Sequence, residues 1–128
     1  GVVLNFTFNE EKPIYEQIIN FIRRKIAREE FEPGDKLPSQ RKMAGKLEVN
    51  PNTIQRAYRE MEAMDLVETK RGKGTFIINS EKIIQKIKKE MAEEAIQRFI
   101  GEMISLGFSE KEIMKRLENN LEKEDINA

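Results

Sequence analysis

The sequence has no cysteine, no histidine and no tryptophan among its 128 residues. The first two absences exclude disulfides, thiolate nucleophiles, imidazole bases and nearly all transition-metal sites, so neither metal nor cofactor is implied. A chain without cysteine fits the cytoplasm, the expected location. No apolar run approaches the length of a membrane span and no segment reads as a secretory signal, so no membrane partner is expected. There is also no net charge, with 23 basic against 23 acidic residues. A nucleic-acid signal, if present, must therefore be local. Aspartate, glutamate, lysine and serine remain for catalysis. The carboxylates, however, are scattered along helix surfaces, and none lies in an apolar setting that would raise its pKa, so the chain is not expected to be an enzyme.

What the chain does contain is apolar residues at helical spacing. Charged residues make up 36% and hydrophobic ones 38%, which predicts a helical, water-soluble chain with a limited core and wide solvated faces. Val2 to Phe8 alternates partly and reads as an arm or short strand. Pro13 is placed at the first position of a helix whose stripe is Ile14, Ile18, Phe21, Ile22 and Ile26. "EPGDK" breaks that helix, with Phe31 before it as a plug. Ser39 caps a short helix from Gln40 to Leu47, with Met43, Ala44 and Leu47 inward. After the tight turn "EVN", Asn50 caps a further helix with Pro51 at its first position and Ile54, Ala57, Tyr58, Met61 and Met64 inward. Two short helices joined this way form a helix-turn-helix. "LVETK" and "GTFII", joined by "RGKG", then read as a two-stranded hairpin, placed where a wing would be.

From Ser80 the pattern is helical again. Ile84, Ile87, Met91, Ala95, Phe99, Met103 and Leu106 form one stripe, widened by Ile83, Ile96, Ile100 and Ile104. Such a helix would be roughly 40 Å long at about 1.5 Å per residue. Gly107 is the expected stop, and Ser109 with Glu112 forms a capping box. The last helix would turn Ile113, Met114, Leu117 and Leu121 inward, with "EKEDINA" frayed. The expected fold is mainly α with a small β-hairpin. A winged helix-turn-helix domain over 1–79 is followed by a two-helix dimerisation segment over 80–128.

The helix start "NPNTIQR" collects Asn50, Asn52, Thr53, Gln55 and Arg56, with Arg59 one turn on and no carboxylate before Glu60. Amide, hydroxyl and guanidinium groups match the donors and acceptors of a DNA major groove, and the helix N-terminus suits phosphate. Between Lys36 and Arg59 six basic residues face Glu48 alone, a net +5, and the wing adds Lys70, Arg71 and Lys73. From Glu81 onward nine basic and eleven acidic residues leave −2. The neutral total thus conceals a basic end, as nucleic-acid binding requires. Plainer readings exist. Asn50 and Pro51 would suit the start of any helix, Arg59 could be an ordinary solvated residue beside Glu60 and Glu62, and "RGKG" alone is a common hairpin turn. The clustering of Asn52, Thr53, Gln55 and Arg56 favours double-stranded DNA as the partner.

Taken together, "PIYEQI", "EPGDKLPSQRKMAGKLEVNPNTIQRAYREME" and "GKGTFI" resemble the GntR family of bacterial transcription regulators over about Pro13 to Ile78. The short tail is similar to the YtrA-type subfamily; larger subfamilies would need a far bigger domain after Asn79. The resemblance implies a sequence-specific transcription regulator, expected to be a repressor. One recognition helix reads too few base pairs to select a genomic site, and the long apolar stripe supplies a means of pairing, so a homodimer on a palindromic operator is expected. It implies that Arg41 contacts DNA at the start of the second helix, that Asn50, Asn52 and Thr53 form the polar recognition start, and that Arg71, Gly72 and Lys73 form the wing tip. Gln55 falls where some relatives place a base-reading arginine, with Arg56 beside it. Glu48 stands where glycine is common, which predicts a strained or altered turn. The expected dimer surface is Ile84, Ile87, Met91, Ala95, Phe99, Met103, Leu106, Ile113 and Leu117; the plainer alternative is that the stripe packs only on the winged-helix domain of its own chain. A two-helix tail has little volume for a deep pocket, so three options stay open for a small-molecule effector: none, one at the dimer interface, or another signal in its place. The competing expectation is a winged-helix protein-interaction module without sequence-specific DNA binding.

Overall fold

The computed structural model describes residue 8 and residues 11–127, with side chains described to residue 124. The arm or strand expected at Val2 to Phe8 lies outside the described residues except for Phe8. Among the described residues the elements are α1 (Ile14–Ala27), α2 (Gln40–Leu47), α3 (Pro51–Ala63), β1 (Val67–Lys70), β2 (Gly74–Ile77), α4 (Glu81–Ser105) and α5 (Glu110–Asn127). No described helix is long and apolar enough to cross a membrane. The chain divides into two compact units, Gly1–Lys88 and Lys89–Ala128, so the first turns of α4 belong to the first unit.

The first unit is a winged helix. Its core joins Ile18, Ile22 and Ile26 of α1, Met43 of α2, Ile54, Ala57 and Met61 of α3, and Leu37, Leu66, Val67 and Ile77 around the hairpin, all nearly inaccessible to water. Phe31 is buried as the expected plug. Helix α3 packs on α1, α2 and β1, which fixes the face it leaves outward. Strands β1 and β2 pair antiparallel with Val67 opposite Ile77. The segment before α2 adds a third edge: Lys36 bridges Phe76, Leu37 N–H donates to the Thr75 carbonyl at 2.8 Å, and Ile77 N–H to the Asp35 carbonyl at 2.7 Å. This edge had no sequence signal, because the segment is too short to show alternation.

Three helices of this unit end on left-handed acidic residues, Glu29, Glu48 and Asp65. Each of these turns is closed from the next residue back to the last helical turn: Glu30 N–H to Lys25 O, Val49 N–H to Ala44 O, and Leu66 N–H to Met61 O, at 2.9, 3.1 and 2.9 Å. Glu48, with φ 55° and ψ 48°, thus supplies without glycine the conformation the turn between α2 and α3 demands. A left-handed L-residue costs about 1–2 kcal/mol, part of which glycine forfeits through its freer unfolded chain. Glu48→Gly should therefore stabilise the protein by about 0.5–1 kcal/mol, measured as a raised Tm in thermal unfolding. An unchanged or lowered Tm would show that the turn carries no such cost.

Two expected core positions lie outside the core. Met64 is 48% exposed because it is the C-cap of α3, where the chain has already left the helical path. Ile14 is 42% exposed as the first residue of α1. Pro13 is the N-cap of α1, one position earlier than expected. In α4, Ile84 and Ile87 are buried within a single chain, in the part that belongs to the first unit. Of the apolar stripe expected to form the dimer, Ile84 and Ile87 are therefore covered within one chain.

In the second unit Gly107 (φ 89°) stops α4, and Phe108 N–H closes onto the Met103 carbonyl at 3.2 Å. The capping box forms at α5. Glu112 N–H donates to Ser109 Oγ at 3.2 Å, while the Ser109 N–H and hydroxyl donate to the Glu112 carboxylate at 3.2 and 2.9 Å. These bonds hold the Glu112 carboxyl below its usual range. Helix α5 continues to Asn127, so the segment expected to fray is helical. Ile113 is buried and Met91 and Met103 are half-buried, whereas Ala95, Ile96, Phe99, Ile104, Leu106, Met114, Leu117 and Leu121 are exposed. Met114, Leu117 and Leu121, expected inward, are exposed. A groove of about 330 Å³ runs between Phe99, Met103, Phe108 and Leu117.

Candidate nucleic-acid interface

The interface is built on the two helix starts that follow short polar turns. Ser39 caps α2 by accepting from Lys42 N–H at 3.2 Å. Asn50 caps α3 by accepting from Asn52 N–H at 2.8 Å, and Pro51 occupies the first position. The Asn50 side-chain oxygen thereby accepts from the helix, and its NH₂ group is left to donate. Ile54, Ala57, Tyr58 and Met61 bury one side of α3. The opposite side presents Asn52, Gln55, Arg56 and Arg59 exposed, with Thr53 half-exposed. This is the face expected from the sequence, and it carries no acidic residue in its first turn. The helix dipole adds positive potential at this end.

Tyr58, read from sequence as core only, also joins the two helices. Its hydroxyl donates to the Pro38 carbonyl at 2.6 Å, tying α3 to the residue before the Ser39 cap. Burial pushes its pKa well above the ordinary tyrosine value, so the hydroxyl keeps its proton and remains a donor. Arg41, in the first turn of α2, is exposed.

At the wing, Arg71, Gly72 and Lys73 are all exposed. Gly72 takes φ 76°, and Lys73 N–H closes the turn on the Lys70 carbonyl at 2.9 Å. Lys70 lies over the Phe76 ring at 4.9 Å. Lys36 crosses Gly74 so closely that a Cβ there would meet Lys36 Cε at 2.8 Å. Sequence reasoning counted Lys36 for charge but gave it no place; the structure lays it on the wing. Gly74 also takes φ 122°, so both its backbone and the crossing Lys36 side chain favour glycine there. Tyr15 was missed altogether: the Arg56 guanidinium carbon lies 3.9 Å from the centre of its ring.

The profile described as "Bacterial regulatory proteins, gntR family" matches residues 14–77, which contain all of these elements. The chain belongs to the gntR family. It is 45% identical to the HTH-type transcriptional regulator YhcF of Bacillus subtilis over 84% of this chain and 89% of that protein. It is 40% identical to the HTH-type transcriptional repressor YtrA of the same organism, over 69% of this chain and 68% of that one. A solved GntR family transcriptional regulator from Listeria monocytogenes superposes with a TM-score of 0.81 at 39% identity, covering 88% of this chain and 98% of that chain. This gntR protein is thus a transcriptional regulator of the YtrA type with a helix-turn-helix DNA-binding domain, and not an enzyme.

Proposed function

We propose that this protein is a cytoplasmic, sequence-specific repressor that grips a palindromic operator as a homodimer. In this reading Asn52, Thr53, Gln55 and Arg56 read bases, with Asn50 and Arg59 at the margins of that contact. Arg41, Arg71, Gly72 and Lys73 bind the backbone or minor groove. The observation that carries the proposal is the outward face of α3, capped, basic and free of carboxylates in its first turn. The similarity to a repressor named YtrA supports the sign of regulation. The exposed apolar residues of α4 and α5 support the dimer, since a monomer rarely leaves such a surface uncovered.

The test is a titration of the full chain on its selected site and on random duplexes at rising salt. Binding should weaken steeply with salt on both. Arg71→Ala with Lys73→Ala should weaken all duplexes alike and reduce the logarithmic salt slope by about two, one for each phosphate no longer neutralised. A double variant that binds as the wild type would reject a DNA-contacting wing. Flat or absent binding by the wild type would favour a protein-interaction module instead.

A further inference from the structure

Arg56 sits on the exposed face of α3, yet its side chain is not left to sample solvent. Its guanidinium lies over the Tyr15 ring at 3.9 Å, well inside the range of a cation–π contact. Tyr15 is itself held in place. It stands in the first turn of α1 with its ring half-buried, beside the buried Gln17, Ile18 and Ile19, and its hydroxyl donates to the Glu16 carboxylate at 3.3 Å. Gln17 Nε2 donates to the Lys12 carbonyl at 2.7 Å and anchors the entry to the same turn. Packing of α1 against α3 fixes the two backbones relative to each other.

From this geometry we infer that Tyr15 is a positioning residue and that the Tyr15–Arg56 pair reads a guanine in each operator half-site. The inference rests on the DNA-binding reading above. A stack occupies one face of the guanidinium and leaves its in-plane N–H fork at the edge. Guanine offers two acceptors, O6 and N7, side by side in the major groove and takes that fork in one plane. Adenine places a donor beside its acceptor, and neither pyrimidine offers two acceptors there. The ring also removes rotamer freedom from Arg56 before DNA arrives, so binding costs less in ordering. A lysine in place of Arg56 would keep the charge but lose both the planar stack and the fork.

The experiment is selection from a random duplex pool with four full-length proteins: wild type, Tyr15→Phe, Tyr15→Leu and Arg56→Ala. Affinities are then measured on the winning site and on random DNA. The wild type should select a guanine at one position of each half-site. Tyr15→Phe keeps the ring and should keep that guanine. Tyr15→Leu should lower affinity for the selected site by about three- to tenfold, the cost of ordering one long side chain, and weaken the preference for that guanine. Its binding to random DNA should stay within about twofold of the wild type, a readout that general unfolding would not spare. Arg56→Ala should lose the guanine preference entirely. The pair is overturned if Tyr15→Leu selects the wild-type site with the wild-type weight, or if Arg56→Ala keeps the guanine. It is overturned equally if Tyr15→Leu weakens selected and random DNA alike, which would place Arg56 on phosphate. A wild type that enriches no site at all would overturn the DNA-binding reading as well, whereas the other failures leave that reading standing.

Discussion

Phe99→Glu combined with Leu117→Glu should separate the proposed homodimer and lower operator affinity by about 10²–10⁴-fold, the factor gained when two binding modules are linked. Both side chains are 37% exposed in one chain, so the substitutions place carboxylates on accessible surface and should leave each unit folded. In a dimer the same carboxylates would be buried in an apolar seam, where an unpaired charge is strongly unfavourable. The expected result is a monomer by sedimentation at micromolar concentration, with unchanged helical circular dichroism and residual nonspecific DNA binding. A double variant that still sediments as a dimer would place the interface elsewhere. These substitutions test the idea more cleanly than ending the chain at Asn79. That cut would also remove Ile84 and Ile87, which are buried in the first unit, and each would cost about 1.5–3 kcal/mol of burial.

Arg56→Ala should weaken operator binding by about 1–3 kcal/mol, the range for a bidentate base contact, while random duplexes lose far less. The contrast between the two is the informative quantity, since the side chain also carries a general positive charge. Fluorescence anisotropy on both duplexes at one salt concentration measures it. Equal losses would show that Arg56 contacts phosphate alone.

Much of this architecture was readable from the chain because its signals are local. Ser39, Asn50 with Pro51, and Ser109 with Glu112 mark helix starts through bonds made within a few residues, and all three caps form. The stripe of α1 and the inward set of α3 follow from helical spacing, and their buried members Ile18, Ile22, Ile54 and Met61 are nearly inaccessible. What escaped depends on residues distant in sequence. Tyr15 and Arg56 meet only because α1 packs on α3. Lys36 and Phe76 meet because the segment before α2 joins the hairpin edge. Helical spacing also says which residues share a side of a helix, but not what covers that side. One stripe in α4 therefore has two covers that spacing does not separate: Ile84 and Ile87 are buried within one chain, whereas Phe99 and Leu106 are exposed. Met64 misled for a related reason: its spacing continues the α3 stripe, but the helix ends at Ala63. Glu48 was flagged by its departure from glycine, and its left-handed backbone shows the turn geometry to be kept without glycine.

In the proposed dimer, two copies of α3 read two related half-sites. Hydroxyl-radical footprinting of the full chain on its selected operator, at a concentration where sedimentation gives its mass, tests this most directly. The expected result is a dimer and two protected blocks related by two-fold symmetry, with centres about one helical turn, roughly 34 Å, apart. A monomer that protects a single block with full affinity would contradict it.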